Sequence, residues 1–142
     1  RQAYGIGNIK NSFKTPLGAH VISEKIGNRV PKGAIFKGRI WTNEIAKIVE
    51  EPIDIPEDVI TSRILWLDGL EENRNRGGIV DSKSRYIYIH GTAEEGLIGK
   101  PASLGCIRML NDDVIEIFKK VRVGTQVLIF TNKEPYKTLW KY

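Results

Sequence analysis

The stretch YIYIHGTAEEGLIGKPASLGCIR, residues 86–108, is the most informative part of this sequence. It begins with four aromatic and β-branched residues, 86–89, which predict a compact strand that ends at His90. It ends around Cys106, shortly before a predicted helix. A cysteine that performs acyl transfer must become a thiolate, and a histidine within hydrogen-bond reach is the usual base. The stretch therefore holds a candidate nucleophile and a candidate base, although a lone cysteine in a core is more often an inert apolar residue.

The residues that flank the cysteine suit a nucleophile. Gly105 allows a tight backbone path, so that amide N–H groups can converge on a developing oxyanion. Arg108 adds a positive charge that could lower the pKa of the thiol or hold a carboxylate. Spacing alone leaves the catalytic and the structural interpretation of Cys106 open.

Outside this stretch, the pattern favours strands over helices. Residues 60–67 and 127–130 are apolar and rich in β-branched residues, and both predict strands. Asn111 is a candidate cap of a helix to about Val121, with an apolar stripe at helical spacing. A second helix is predicted over 42–51, ended by proline residues, and the polar segment 71–84 predicts a mobile loop.

Length and composition limit the class of protein. The 142 residues predict a single domain, 1–142, whose 41% apolar residues suffice for a hydrophobic core. No apolar run is long enough to span a bilayer as a helix. The net charge of +5 is scattered, without a stripe of cations and aromatics, so we expect no nucleic-acid partner. A single cysteine excludes an internal disulfide and a cysteine-rich zinc site.

The remaining candidate side chains have simpler interpretations. His20 has no nearby acidic or cysteine partner in the sequence and is predicted to be a surface or edge histidine. The pair Glu94-Glu95 predicts a solvated loop tip, with binding of a substrate ammonium group as the alternative. With two histidines in the chain, a metal ion would find too few ligands at recognisable spacing, so we expect none.

Two strings in the informative stretch carry a resemblance to a known family. Ile89-His90-Gly91-Thr92 and Ser103-Leu104-Gly105-Cys106-Ile107-Arg108 resemble the signature of the L,D-transpeptidase (YkuD-type) catalytic domain. That signature is a His-Gly pair, then Ser or Thr, His, Gly, Cys, an apolar residue, and Arg or Asn. Cys106 follows His90 by 16 positions, within the family's usual range, and Lys14–Gly18 resembles the early turn of these domains. The resemblance implies a mainly β, sandwich-like fold with one main helix after the cysteine.

The resemblance also implies roles for individual residues. Cys106 would be the nucleophile, His90 its general base, and Gly91 would orient the imidazole through its backbone carbonyl. Leu104 departs from the signature, because the family has histidine at this position. The residues expected to shape the substrate and oxyanion site are Ser103, Leu104, Gly105 and Arg108.

The function that the resemblance implies is peptidoglycan L,D-transpeptidation by a monomer outside the cytoplasmic membrane of a bacterium, in the periplasm or cell wall. The partners would be peptidoglycan stem peptides, and the chemistry needs no metal or organic cofactor. The thiolate would release D-Ala from a stem tetrapeptide and pass the acyl group to an amine, or to water as an L,D-carboxypeptidase. Two alternatives stay open: a sortase-like cysteine transpeptidase, and a cell-wall-binding domain of the same fold whose activity is impaired because Leu104 breaks the signature.

Overall fold

The computed structural model describes residues 6–55, 58–100 and 105–131. Along the chain, the strands and the helix are β1 (Gly18–Ile26), β2 (Ala34–Lys37), β3 (Ile40–Ile45), β4 (Ile60–Gly69), β5 (Tyr88–Thr92), β6 (Ile107–Met109), α1 (Asn111–Lys120) and β7 (Gln126–Ile129). Short 3-10 turns occur at Gly78–Val80 and Glu95–Leu97. The fold is mainly β with one α-helix in the part of the chain that the structure describes, as the sequence predicts.

Strand β4 organises the sheet because it pairs with three other strands. One edge of β4 contacts β2 near Thr61 and β1 from Ile64 onward, and the other edge contacts β5. A bulge at Ser62-Arg63 separates the two halves of β4, and Ser62 has a φ of 70°. All strand pairs are antiparallel except β5 and β6, which are parallel. The order β3-β2-β4-β1-β7 leaves the β5–β6 pair as a separate branch of the sheet.

Two apolar clusters lie on opposite faces of this sheet. Alternate residues of a strand point to opposite faces, so Leu65 and Leu67 face one cluster and Ile64 the other. Helix α1 covers the first cluster with Phe118, and its predicted apolar stripe is confirmed. The second cluster consists of Ala34, Phe36, Ile64 and Tyr88, with Ile26, Val30, Trp41, Ile60, Trp66 and Cys106 packed against it.

The predicted helix over 42–51 is wrong, because its first residues form β3. Gly38 and Arg39 both have positive φ, 55° and 66°, which is the geometry of a tight hairpin turn. The turn returns the chain onto β2, where Trp41 pairs with Phe36. Cross-strand packing of these aromatic residues therefore outweighs the helical propensity of the segment.

The segment 71–84 is hydrogen-bonded to β1, which contradicts the prediction of a mobile loop. Glu71 accepts a hydrogen bond from the N–H of Ala19 at 2.6 Å, and the Asn75 amide donates to the Ala19 carbonyl at 3.0 Å. Ser82 lies 2.8 Å from Nε2 of His20. Glu71, Asn75 and Ser82 are therefore buried hydrogen-bonding partners that hold this segment in place.

His20 is also buried, so its prediction as a surface or edge residue is wrong. It lies in β1, which pairs with β4 on one side and β7 on the other. Its Nδ1–H donates to the Gly18 carbonyl at 3.0 Å, which leaves Nε2 to accept from the Ser82 hydroxyl. Burial lowers the pKa of His20, so the neutral ring is favoured.

Candidate active site

The parallel pair of β5 and β6 brings the two candidate catalytic residues onto one face of the sheet. Ile89 pairs with Ile107 and His90 with Arg108, so Cys106 lies beside Tyr88 at the start of β6. Residues paired across strands share a face, and so do alternate residues of one strand. Cys106 and His90 are thus offset by two residues across neighbouring strands, roughly 8 Å between Cα atoms at standard strand spacings.

The Cys106 thiol is half-buried between two backbone groups. The Tyr88 N–H donates to Sγ at 3.4 Å, and the S–H donates to the Tyr86 carbonyl at 3.3 Å. Tyr86 has a φ of 57°, in the left-handed region that costs a non-glycine residue about 1–3 kcal/mol. The predicted strand 86–89 therefore begins two residues later than expected, and Tyr86 turns the chain into the site.

The resting thiol is neutral in this environment. The pKa of Cys106 is raised to about 11, mainly by burial and also by the charge of Asp58. The Tyr88 N–H and the positive charge of Arg85 lower it, since both favour the thiolate. A base is therefore needed to remove the proton at neutral pH.

His90 is suited to accept that proton at one nitrogen. Its Nδ1 lies 2.5 Å from the Gly91 carbonyl, which can accept but not donate, so Nδ1 carries the hydrogen. The neutral ring then presents the lone pair of Nε2. Burial lowers the pKa of His90, as does the charge of Arg108, while the Gly91 carbonyl and Asp58 raise it.

Gly91 is required by close packing as well. A Cβ at this position would lie 2.5 Å from Oδ1 of Asn111 and 2.7 Å from the Thr61 carbonyl. Asn111 is fully buried at the start of α1, where Leu110 is the N-cap, so the predicted side-chain cap by Asn111 is wrong. Instead its Nδ2–H2 group donates to the Thr92 carbonyl at 2.8 Å, and Oδ1 accepts from the Thr61 hydroxyl at 2.6 Å. The Asn111 side chain therefore ties α1 to the strand that carries the histidine.

Gly105 allows the backbone conformation that precedes the cysteine. Its φ of 109° lies in a region that side chains avoid, and a Cβ would lie 3.1 Å from the Lys14 carbonyl. Lys14 belongs to the segment 14–18, which resembles the early turn of L,D-transpeptidase domains. Ser103 and Leu104 lie outside the described residues, and their roles stay predictions.

Arg108 contacts a carboxylate of this chain. Its guanidinium donates to Glu94 at 2.6 Å and to the Thr92 hydroxyl at 2.5 Å. The two charged side chains are only 6% and 1% exposed, and Glu94 also accepts from the Ile55 N–H at 2.7 Å. Glu95 accepts from the Asn111 N–H at 2.7 Å. The predicted solvated tip at 94–95 is therefore wrong, because Glu94 is buried in an ion pair with Arg108 and Glu95 accepts from Asn111.

Sequence reasoning missed Arg85 and the aromatic neighbours of the thiol. Trp66 meets the ring of Tyr88 edge-on at 5.6 Å between centroids, and Arg39 stacks over Trp66 at 4.8 Å. Arg39 also donates to the Tyr88 hydroxyl at 3.1 Å. The left-handed Tyr86 gave no sequence signal, whereas the alternating aromatic residues of 86–89 could have indicated one aromatic face next to the cysteine.

Comparison with known proteins identifies the family of this chain. A family model for the L,D-transpeptidase catalytic domain (YkuD) matches residues 2–129. The chain belongs to the YkuD family of L,D-transpeptidase catalytic domains. The family match includes both strands of the candidate site and the helix that follows them.

Individual L,D-transpeptidase relatives cover parts of the chain. "Putative L,D-transpeptidase YqjB" of Bacillus subtilis (strain 168) is 45% identical over 55 residues, 39% of this chain and 31% of the relative. "Putative L,D-transpeptidase YkuD" of the same organism is 46% identical over 66 residues, 42% and 40% of the two chains. "Probable L,D-transpeptidase YcfS" of Escherichia coli (strain K12) is 29% identical over 129 residues, 88% of this chain and 35% of the relative. The chain thus spans about a third of the length of these relatives.

Two further properties of the described residues bear on ligands and membranes. They contain no group of three or more His, Cys, Asp and Glu side chains that could hold a metal ion. Among the helices in these residues, none has the length and apolar character needed to cross a bilayer.

Proposed function

We propose that this chain is a peptidoglycan L,D-transpeptidase with Cys106 as nucleophile and His90 as general base. The observation that carries the proposal is the β5–β6 register, which places a half-buried thiol and an oriented, neutral imidazole on one face. The Gly91 carbonyl fixes the tautomer of His90 and leaves the lone pair of Nε2 available to a base role.

The first half-reaction follows from the protonation states. Sγ–H gives its proton to Nε2 of His90 while Sγ bonds to the carbonyl carbon between the L-centre of diaminopimelate and the terminal D-Ala. The Tyr88 N–H, 3.4 Å from Sγ, stabilises the developing thiolate. The backbone N–H of Cys106 and its neighbours are the proposed oxyanion donors. The C–N bond breaks, the proton returns from His90 to the leaving amine, and D-Ala departs from a thioester.

The second half-reaction reverses these proton transfers. An amine of a neighbouring stem loses a proton to His90 and attacks the thioester carbonyl. The C–S bond breaks, His90 returns the proton to Sγ, and the new amide bond is the cross-link between the two stems. Water in place of the amine gives L,D-carboxypeptidase activity from the same thioester. Action on this substrate places the protein outside the cytoplasmic membrane, and the peptidoglycan stem is the proposed partner.

The test is incubation with a disaccharide tetrapeptide, followed by mass measurement of protein and products. We expect a transient acyl adduct on Cys106, free D-Ala, and a cross-linked product when a second stem supplies an amine. A protein that forms no adduct at any pH between 7 and 10 would contradict the proposal and favour a wall-binding role. Exclusive reaction with a sorting-signal peptide would favour a sortase-like enzyme.

A further inference from the structure

A pocket of about 180 Å³ lies beside residues 84–87, which lead into β5. Its wall includes Tyr86, whose carbonyl accepts the Cys106 S–H at 3.3 Å, so the pocket and the thiol share this residue. The described lining residues are Lys10, Asn11, Phe13, Ser84, Arg85, Tyr86 and Ile87. The mechanism above does not use this space.

The pocket is positively charged. Its described lining contains two cations, Lys10 and Arg85, and no carboxylate. The Arg85 guanidinium donates to two backbone carbonyls, those of Lys14 at 2.6 Å and Gly7 at 3.4 Å, which hold it without neutralising it. Asp81, three residues before Ser84, accepts two backbone N–H groups at 2.9 Å each within its own turn.

The backbone around the pocket is held in an unfavourable conformation. Asn11, Phe13 and Tyr86 have φ values of 64°, 57° and 57°. Left-handed non-glycine residues persist where surrounding contacts fix them, and they concentrate at binding sites. The apolar part of the lining, Phe13 and Ile87 with the Tyr86 ring, completes a site for a small group with one charged and one apolar end.

We propose that this pocket binds the C-terminal carboxylate and methyl group of the acyl donor's terminal D-alanine, the group that leaves. The inference rests on the proposed function. The scissile carbonyl must lie about 3–3.5 Å from Sγ for attack. The terminal carboxylate lies one residue further along the peptide, at most about 3.6 Å beyond. Tyr86 borders both the thiol and the pocket, so a donor whose leaving group extends past Tyr86 brings its carboxylate to Lys10 and Arg85.

The first test compares a tetrapeptide donor that ends in a free carboxylate with the same donor ending in an amide. We expect the wild-type protein to prefer the carboxylate by about tenfold or more in kcat/KM, which corresponds to one ionic contact. Lys10→Gln should reduce that preference several-fold, mainly through KM. Lys119→Gln, on the exposed side of α1, is the matched control and should keep it. Equal preference in the wild type and Lys10→Gln would overturn the proposal.

A second measurement separates this proposal from the proposed function. D-alanine and D-alaninamide are titrated into the labelled protein, and amide shifts of Ser84, Arg85 and Tyr86 are followed by NMR. We expect saturable shifts with D-alanine and weaker shifts with the amide or in Lys10→Gln. Donors with the other stem carboxylates amidated should react as the unmodified donor does. If no donor reacts, the proposed function is wrong, but the NMR titration still tests D-alanine binding in the pocket. Absence of the shifts would overturn the proposal for the pocket.

Discussion

The Cys106 thiol should react slowly at neutral pH and much faster in alkali. With a pKa of about 11, roughly one molecule in ten thousand is ionised at pH 7. A free cysteine, with a pKa of about 8.5, is ionised in roughly one molecule in thirty. The protein thiolate is therefore about 300-fold scarcer than that of a free thiol.

Greater basicity offsets part of this deficit. A thiolate of higher pKa is a better nucleophile, with a Brønsted coefficient of about 0.4–0.5 toward disulfides. Over roughly 2.5 pKa units, this raises the rate constant of the thiolate about tenfold to twentyfold. We therefore expect Cys106 to react with an aromatic disulfide reagent about 25-fold more slowly than free cysteine at pH 7.

The assay is stopped-flow reaction with that reagent between pH 6 and 11, for the wild type and for His90→Ala. Because the chain has one cysteine, the signal reports a single thiol. Both proteins should become about tenfold faster per pH unit up to about pH 10, and the urea-unfolded chain should react as free cysteine does. A wild-type rate that levels off below pH 8, and does not in His90→Ala, would refute the reasoning, because it would reveal a resting thiolate–imidazolium pair.

Further results are expected from four variants and from one pH titration. Cys106→Ala should abolish acylation while its thermal midpoint stays within a few degrees of the wild type. His90→Ala should slow acylation by about 10²–10⁴, with partial recovery at high pH. Asn111→Ala should lower the free energy of unfolding by about 2–4 kcal/mol in urea titrations, since it leaves buried hydroxyl partners unsatisfied. The free energy of unfolding should fall as pH drops below about 6.5. Buried His20 and His90 have lowered pKa values, so the unfolded chain binds protons at a higher pH than the folded chain does. A free energy of unfolding that stays constant from pH 7 to pH 5 would contradict this. Leu104→His should raise single-turnover acylation, and no gain would show that leucine suits this chain's own substrate.

The sequence predicted what local patterns can encode. Strand β4 and helix α1 have the apolar spacing of their structure, and both were located within a few residues. The candidate pair of His90 and Cys106 was recognisable because a short motif carries it. Their placement on one face depends on the parallel β5–β6 register, which no local pattern contains.

The errors concern residues whose environment is set by distant parts of the chain. Glu94 looks like a loop tip in the sequence, yet its partner Arg108 comes from a strand that follows the loop. His20 lacks neighbours in sequence, yet Ser82, 62 residues away, lies 2.8 Å from its ring. Burial of a polar side chain therefore could not be predicted before its partner was known.

The parallel pairing of β5 and β6 has a consequence for how this scaffold tolerates changes in length. The separation of Cys106 and His90 is set by adjacent strands, so the chain that connects them can vary without moving either. Its first residues are fixed through Glu94 and Glu95, but Gly99 has a φ of 89° and nothing within 4 Å of a Cβ placed there. An insertion directly after Gly99 should therefore be accepted, and substrate range could diversify by lengthening this connection while the reacting groups keep their spacing.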